Sequence, residues 1–244
     1  MFDGGVGMTG GAPTNGKVVL VTGGTGGLGS VLVARFKREG WSVFATITPG
    51  TPPPGDPGTD GFPAYIPADV TDEPSVVRLF DEIVRRARRV DVVVNTVGGY
   101  VAGASVEETT LEAWDLMMRL NLRSAFVCTR EALRRMKGSG FGRVINVSAM
   151  SALSPAPGRA AYGVSKSGVA LLTEIAAREV KGTGITVNAV APSIIDTPAN
   201  RSSMPGEKFD AWVKPDAIAE MILYLCSEGG GAVNGTVLKA AGGL

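Results

Sequence analysis

Apolar residues follow two alternating spacings along this chain. Six short runs read as strands, and most of them are apolar on both faces, which is typical of parallel strands that helices cover on each side of a sheet. These runs are Lys17–Thr22, Ser42–Ile47, Asp91–Asn95, Arg143–Ser148, Ile185–Ala191 and Thr236–Lys239. Apolar residues three and four positions apart predict helices between them, at Leu28–Glu39, Glu73–Ala87, Leu111–Lys137, Ala160–Lys181 and Pro215–Glu228. The alternation predicts an α/β fold with a single doubly wound parallel sheet flanked by helices on both faces.

Two segments carry neither spacing. Residues 1–16 contain six glycines and no periodic apolar positions, so we expect a flexible glycine-rich tail followed by one domain over residues 17–244. The segment Thr48–Pro63 stands where a crossover helix would connect two strands, yet it contains six prolines. Proline removes a helical hydrogen bond and clashes with the preceding turn. A solvent-exposed loop is therefore predicted in place of that helix.

Composition excludes several classes of function. The chain has 24 Lys and Arg against 23 Asp and Glu, a formal net charge of +1, which is too balanced for a protein that neutralises a nucleic-acid backbone. We expect no membrane partner either, because no apolar run reaches the roughly 18 residues that span a bilayer. The chain has no histidine and only two cysteines, Cys128 and Cys226, which excludes a histidine base and predicts no metal site. Two distant cysteines favour reduced thiols in a cytoplasmic protein.

A glycine-rich segment follows the first predicted strand and opens the first predicted helix. It reads Thr22-Gly23-Gly24-Thr25-Gly26-Gly27-Leu28-Gly29 and contains the spacing G-x-G-x-x-G. Glycines here let the backbone approach a pyrophosphate, and the helix N-terminus offers free N–H donors and the positive end of its dipole. The context of strand, turn and helix predicts a Rossmann-type dinucleotide site. Its candidate contacts are Gly23, Thr25, Gly27, Leu28 and Gly29.

The end of the second predicted strand decides between two dinucleotides. A carboxylate there would bind the ribose hydroxyls of NAD and repel the 2′-phosphate of NADP, and a cation would do the reverse. This chain has Thr46-Ile47-Thr48 instead. No acid repels a phosphate, and the hydroxyls of Thr48 and Thr25 could donate hydrogen bonds to one, although no base near the turn would neutralise it. NADP(H) is therefore slightly favoured over NAD(H).

Four polar residues form a candidate catalytic group. Tyr162 and Lys166 are four positions apart in a predicted helix and share a face, where the cation would lower the pKa of the phenol toward working pH. Tyr and Lys at this spacing are also common in surface packing. Ser148 ends a predicted strand at the edge where doubly wound sheets bind ligands. Asn121 continues a helix stripe that is otherwise apolar, and a polar group on such a face needs partners.

The glycine-rich segment and the four polar residues follow one another along the chain as the motifs of the short-chain dehydrogenase/reductase family do. The chain resembles that family from about Lys17 to Gly243. The segment Thr22–Gly29 resembles the family's TGxxxGxG cofactor loop. The catalytic tetrad of the family is matched by Asn121, Ser148, Tyr162 and Lys166. Further cofactor contacts that the resemblance implies are Thr48, Asp69, Val70, Asn95, Gly98, Pro192, Ile195 and Thr197, together with Tyr162 and Lys166 themselves.

The resemblance also implies a reaction and a role for each catalytic residue. The expected reaction moves a hydride between NAD(P)(H) and a small carbonyl compound or its secondary alcohol. By the resemblance, Tyr162 donates the proton, while Lys166 holds the nicotinamide ribose and lowers the pKa of the phenol. Ser148 then orients the carbonyl, and Asn121 supports a water that relays protons.

Two alternatives stay open at this point. Val97-Gly98-Gly99-Tyr100 and the missing crossover helix are similar to dihydropteridine reductases, although that group lacks a serine at the position of Ser148 and has an acid at the end of strand two. 3-Oxoacyl reductases resemble the chain better at Ser148. The second alternative is a non-catalytic, dinucleotide-sensing regulator, which would have no need of an acid with a tuned pKa.

The long predicted helices and the resemblance both indicate a homodimer or homotetramer. Leu111–Lys137 and Ala160–Lys181 carry apolar residues on more than one face, for instance Phe126 and Val127 beside Leu122. One sheet surface covers only one of these faces, so we expect a second copy of the chain on the other.

Overall fold

The computed structural model describes residues 16–55 and 61–243. Most of the predicted tail, residues 1–15, lies outside the described residues. The strands are β1 (Val18–Thr22), β2 (Ser42–Ile47), β3 (Ala64–Pro67), β4 (Val92–Asn95), β5 (Gly142–Val147), β6 (Ile185–Pro192) and β7 (Val237–Ala240). The α-helices are α1 (Gly29–Arg38), α2 (Glu73–Ala87), α3 (Leu111–Met117), α4 (Ser124–Met136), α5 (Ala160–Glu179), α6 (Pro198–Ser203) and α7 (Pro215–Cys226).

The strands form one seven-stranded sheet in the order β3-β2-β1-β4-β5-β6-β7, and each neighbouring pair is parallel. The predicted doubly wound parallel sheet is thus confirmed. Strand order reverses direction between β1 and β4. Because ligands of such sheets bind beyond the carboxyl ends of the strands at this reversal, the order alone places a crevice after Thr22 and Asn95.

The sheet separates two apolar layers. Successive side chains of a strand point to opposite faces, and β1 shows this directly: Val18 and Leu20 pack in one layer, and Val19 and Val21 in the other. The first layer includes Phe80 of α2, and the second includes Phe36 of α1 and Ile222 of α7. Helices therefore cover both faces, which explains why the strand sequences are apolar throughout. Among the described residues, no helix is long and apolar enough to cross a membrane.

Three elements differ from the sequence prediction, and one of them is the short helix α6, which was not predicted. The strand β3 at Ala64–Pro67 was not predicted, because its four residues are too few to show an alternating pattern and end in proline. The predicted helix Leu111–Lys137 is not continuous: a π-helical segment, Met118–Arg123, separates α3 from α4. A π-turn adds one residue per turn without breaking the run of helix-forming residues, so the apolar spacing alone does not reveal it.

No helix replaces the crossover in the described parts of the proline-rich segment, residues 48–55 and 61–63. Residues 48–55 are exposed, as predicted. The other end of the segment is partly buried, since the ring of Phe62 packs edge-on against that of Phe44 at 5.3 Å. Lys37 also donates a hydrogen bond to the Phe62 carbonyl at 2.7 Å. The connection is thus anchored to the sheet before β3 begins.

Candidate active site

The glycine-rich turn is tied to the end of β2. The N–H of Gly23 donates to Thr46 Oγ1 at 2.8 Å, and the N–H of Gly24 donates to the Thr46 carbonyl at 2.9 Å. Gly23 has a φ of +66°, a conformation that glycine adopts without strain. Above these bonds, Thr25, Gly26 and Gly27 are exposed, and α1 starts directly after Leu28. The turn therefore presents an exposed backbone at a helix N-terminus.

Three of the glycines leave no room for a side chain, which tests whether the turn fits a dinucleotide. A β-carbon on Gly29 would lie 2.1 Å from the Gly23 carbonyl oxygen, and one on Gly24 would lie 2.5 Å from Ala45 Cβ. These two glycines allow the turn to pack tightly onto α1 and β2. Gly27 instead faces across the crevice, where its β-carbon would lie 2.5 Å from Thr197 Cγ2. The residues present therefore fit a cradle for a pyrophosphate.

The far wall of this cradle comes from the end of β6. Pro192 is the last residue of β6, and the chain continues through Ile195 to Thr197, which is 8% exposed and caps α6 by accepting a hydrogen bond from Asn200 N–H at 3.2 Å. The Asn200 side chain donates in turn to the Ile195 carbonyl at 2.8 Å. The predicted contacts Pro192, Ile195 and Thr197 thus lie together at the carboxyl edge of the sheet.

The residues predicted to bind the adenosine end differ in their exposure. Thr48 is exposed immediately after β2. Asp69 is also exposed, and its Oδ1 accepts hydrogen bonds from Thr71 N–H and hydroxyl at 2.9 and 2.8 Å, whereas Val70 is buried. Ile47 is only 3% exposed, so its side chain lies in the core. Of the strand-end residues Ile47 and Thr48, only Thr48 can meet a ligand.

Asn95 is placed differently from the expectation of a cofactor contact. Its side chain is 4% exposed and donates to Asn146 Oδ1 at 2.8 Å and to Thr129 Oγ1 at 3.3 Å. Asn146 extends this buried polar cluster by donating to Thr173 Oγ1 at 3.0 Å. The side chain of Asn95 therefore links β4 to β5 and α4 beneath the crevice, and does not face the cradle.

Lys166 and Ser148 meet at the carboxyl end of β5. The Lys166 ammonium donates to the Val147 carbonyl at 2.8 Å, and the Ser148 hydroxyl donates to the Lys166 carbonyl at 2.9 Å. Both residues are buried, with exposures of 5% and 2%. Tyr162 lies one turn earlier on α5, on the same face as Lys166. The strand end and α5 therefore bring Ser148 and Lys166 together, with Tyr162 one turn away on the same helix face.

Asn121 occupies the π-helical segment and holds the backbone that follows β4. Its Oδ1 accepts from Gly99 N–H at 2.9 Å, while its Nδ2 donates to the Gly99 carbonyl at 3.1 Å and to Ser165 Oγ at 3.0 Å. Gly98 packs beside it: a β-carbon there would lie 2.7 Å from Asn121 Oδ1 and 3.1 Å from Lys166 Nζ. The predicted residues Gly98, Asn121 and Lys166 are thus in direct contact.

Burial shifts the pKa values of both catalytic candidates on α5. Desolvation raises the pKa of Tyr162 to about 12; the neighbouring Tyr100 adds to the rise and Arg159 opposes it. Desolvation lowers the pKa of Lys166 to about 8. The sequence predicted the opposite direction for the tyrosine, from the effect of Lys166 on the phenol. That prediction is wrong for this structure, because loss of hydration outweighs the attraction of Arg159.

Two features of the crevice were missed from the sequence. The Tyr100 ring packs against Tyr162, with centroids 4.7 Å apart and planes at 81°. Asp196 accepts from Arg201 and Lys214 at 2.5 Å each, which ties α6 to the segment before α7. These cations hold the pKa of Asp196 well below its usual range. In the sequence, the ion pair of Asp196 with Arg201 is indicated only weakly, by opposite charges five positions apart. Nothing in the sequence indicates the contact of Tyr100 with Tyr162.

Comparison with known proteins identifies the family of this chain. Residues 17–208 match the short chain dehydrogenase family. The chain belongs to this family. It is therefore an oxidoreductase with the fold of a nicotinamide dinucleotide enzyme.

Its relatives act on different carbonyl compounds and alcohols. The 3-oxoacyl-[acyl-carrier-protein] reductase FabG of Thermotoga maritima is 31% identical over 94% of this chain and 98% of its own length. A cyclopentanol dehydrogenase of Comamonas testosteroni is 31% identical over 94% and 97%. Among solved structures, ElxO with NADP bound has a TM-score of 0.86 at 29% identity, covering 93% of this chain and 98% of its own.

Proposed function

We propose that this protein reduces a carbonyl compound to its secondary alcohol, or catalyses the reverse reaction, with Tyr162 as the proton donor and acceptor. The observation that supports this most directly is the contact of Ser148 with Lys166 at the carboxyl end of β5, with Tyr162 one turn earlier on the same face of α5, at the edge of the sheet where α/β enzymes bind ligands. The names of its relatives, reductases and dehydrogenases of several carbonyl compounds, agree with this class of substrate.

The nicotinamide dinucleotide would supply or accept the hydride. Tyr162 would donate its phenolic proton to the carbonyl oxygen as negative charge develops there. Because its pKa is raised to about 12, the phenol is protonated throughout the physiological range. This protonation state suits an acid in reduction, and it makes Tyr162 a poor base for alcohol oxidation until a neighbouring charge stabilises the phenolate.

Lys166 and Ser148 would orient the reactants. The Lys166 ammonium has three N–H donors and uses one on the Val147 carbonyl, which leaves two for the hydroxyls of the nicotinamide ribose. Ser148 has a single hydroxyl proton, which it donates to the Lys166 carbonyl. To hold a substrate carbonyl, the hydroxyl must turn away from that oxygen. Substrate binding would thus make the Ser148 hydroxyl exchange the Lys166 carbonyl for the carbonyl of the substrate.

Asn121 would position the backbone of this site. Its amide nitrogen and oxygen are both engaged by Gly99, and the nitrogen also reaches Ser165. We therefore assign the side chain a role in fixing the segment after β4 against Lys166. The water relay implied by the family resemblance would have to use the backbone of the π-helical segment, where hydrogen bonding departs from the α-helical pattern.

NADP(H) would be slightly preferred over NAD(H). Thr48 is the exposed residue that directly follows β2, and the sequence has no carboxylate at Ile47 or Thr48 to repel a 2′-phosphate. ElxO, a similar protein, was solved with NADP bound. The cradle contacts would be Gly23, Thr25, Gly27, Leu28 and Gly29, with Thr197 on the opposite wall.

A homodimer or homotetramer would form through α4 and α5. Exposed apolar residues on these helices are Phe126 at 43%, Val164 at 50%, Leu171 at 59% and Ile175 at 47%. The three on α5 are seven and four positions apart and so share one stripe. An exposed apolar stripe of this kind is typical of an interface between protein chains.

The experiment that tests the function is a substrate panel. Ketones, quinonoid pterins and 3-oxoacyl thioesters would each be assayed with NADH and with NADPH, by following absorbance of the reduced nicotinamide. The proposal predicts reduction of at least one ketone or 3-oxoacyl thioester. If the protein binds the dinucleotide but no compound of the panel oxidises the reduced nicotinamide, the result would instead support the non-catalytic sensor.

A further inference from the structure

Tyr100 is a large, exposed aromatic residue beside the candidate catalytic residues. Its side chain is 59% exposed, and its hydroxyl has no hydrogen-bond partner among the described residues. Its ring lies across that of Tyr162, with centroids 4.7 Å apart and planes at 81°. Core packing therefore does not account for this residue, because most of it is exposed while its ring lies against the ring of Tyr162.

The backbone holds Tyr100 in this place from both sides. On one side, Gly99 is bound through both its N–H and its carbonyl to the side chain of Asn121. On the other side, Gly103 N–H donates to the Gly158 carbonyl at 2.8 Å, and Ala104 forms a β-bridge with Arg159, just before α5. Since α5 also carries Tyr162, the short segment from 99 to 104 fixes Tyr100 relative to the proton donor.

We propose that Tyr100 determines substrate specificity: it forms an aromatic wall beside Tyr162 and favours carbonyl compounds with a flat, unsaturated or aromatic ring attached to the carbonyl. The inference rests on the proposed function, because binding of the substrate oxygen at the Tyr162 hydroxyl brings the attached group within reach of Tyr100. Aromatic pairs gain a further two- to twelvefold, roughly, beyond the effect of buried area, when two rings meet edge to face or offset. A saturated ring of the same size lacks this contribution.

Two methyl ketones with the same carbon skeleton test the proposal. Acetophenone has a flat ring and acetylcyclohexane a saturated one, and the measured quantity is the ratio of their kcat/KM values. We expect Tyr100→Leu to lower this ratio about two- to twelvefold and Tyr100→Phe to preserve it. The comparison between variants cancels the intrinsic reactivity of each ketone and any general loss of activity.

Tyr224 provides a matched control, because it is 56% exposed and lies on α7. Tyr224→Leu should leave the ratio unchanged. If Tyr100→Leu leaves the ratio of the two kcat/KM values unchanged, the proposal is overturned. Loss of the ratio in Tyr100→Phe would also overturn it, since the hydroxyl and not the ring would then select the substrate.

A binding measurement separates this inference from the proposed function. Saturation-transfer NMR would follow both ketones on the unmodified and Tyr100→Leu proteins with oxidised cofactor, where no hydride is available to transfer. A preference for acetophenone that depends on Tyr100 supports the inference, even in a protein that turns over neither ketone. Turnover with an unaltered ratio in Tyr100→Leu overturns the inference and leaves the proposed function intact. Absence of binding by both ketones also overturns the inference.

Discussion

Gly27, in the turn before α1, lies directly against Thr197, at the start of α6: a β-carbon on Gly27 would come within 2.5 Å of Thr197 Cγ2. These two residues are 170 positions apart in the chain, and they form opposite walls of the proposed cofactor cradle. The sheet order explains their meeting, because the carboxyl ends of β1 and β6 face the same edge. The spacing of this crevice is therefore set at a position that only glycine fits.

Gly27→Ala should weaken cofactor binding by pushing the two walls apart. Overpacking of this kind costs about 1–3 kcal/mol, which corresponds to a roughly 5- to 150-fold higher Kd. Isothermal titration with NADPH measures the effect, alongside Tm to detect loss of stability. Gly229→Ala is the control, because its β-carbon would meet only Ser227 Oγ at 3.7 Å. An unchanged Kd in Gly27→Ala would contradict this assignment of the cradle.

Cofactor affinity should fall as pH rises through about 8. Burial lowers the pKa of Lys166 to about 8, so its ammonium is present below this pH and lost above it. A charged donor forms a stronger hydrogen bond to the ribose than a neutral amine, by about 1–1.5 kcal/mol, or roughly five- to tenfold in Kd. Measuring the Kd for NADH between neutral and alkaline pH shows this step in affinity, since the phosphates of NADH do not titrate in that range.

Two variants identify the group responsible for that step. Lys166→Met should bind NADH more weakly at neutral pH and show no step. Tyr162→Phe should keep the step, because the phenol of Tyr162 remains protonated at these pH values. A step that persists in Lys166→Met would assign it to another group.

The sequence predicted the sheet, which the structure confirms, better than it predicted the interactions within the candidate catalytic group. Buried parallel strands are apolar on both faces, so β1, β4, β5 and β6 were recognisable from their runs of apolar residues. The order of the motifs then gave Ser148, Tyr162 and Lys166 as candidates, and their catalytic roles stay predictions. The sequence could not predict the sign of the pKa shift at Tyr162, because burial depends on the packing of segments far apart in the chain.

Three local details of the site could not be predicted from the sequence. The π-helical segment that carries Asn121 requires one extra residue in a turn, and this does not disturb the helical pattern. Asn95 matched a cofactor motif by position, yet its side chain forms a buried bond to Asn146. Tyr100 meets Tyr162 only because the segment after β4 bends toward α5, which is a tertiary contact with no sequence period.

Charge at position 48 should control the choice between NADPH and NADH. Thr48 is the exposed residue that directly follows β2, whereas Ile47 is buried and unsuitable for a charged substitution. Without a charge at Thr48, we expect the two cofactors to differ by less than about a hundredfold in kcat/KM. Thr48→Asp should shift the ratio toward NADH, and Thr48→Arg toward NADPH, each by roughly 10- to 150-fold.

Thr183→Asp is the control for charge alone, since Thr183 precedes β6 at the opposite edge of the sheet. This variant should leave the cofactor ratio as it is. A shift in the same direction for Thr48→Asp and Thr48→Arg would contradict the role of this position. Discrimination of about a thousandfold by the unmodified protein would show that other residues contact the 2′ position.

Self-association should depend on the apolar stripe of α5. Light scattering of the unmodified protein at micromolar concentration should give a dimer or tetramer. Leu171→Glu places a charge in the stripe, where Leu171 is 59% exposed, and should shift the mass toward the monomer. Val106→Glu changes a residue that is 78% exposed outside both helices and should leave the mass unaltered. A monomeric unmodified protein would refute this interface.

The central claim is that Tyr162 acts on the substrate carbonyl and not on the cofactor. With the ketone that the panel identifies, Tyr162→Phe should lower kcat by about 10²–10⁴-fold, the usual contribution of a positioned acid. Its Kd for NADPH should stay within about twofold, because Lys166 and the glycine cradle are retained. Tyr224→Phe, at an exposed position on α7, should alter neither quantity. Retained turnover in Tyr162→Phe, or a loss of turnover matched by an equal loss of NADPH affinity, would contradict the account.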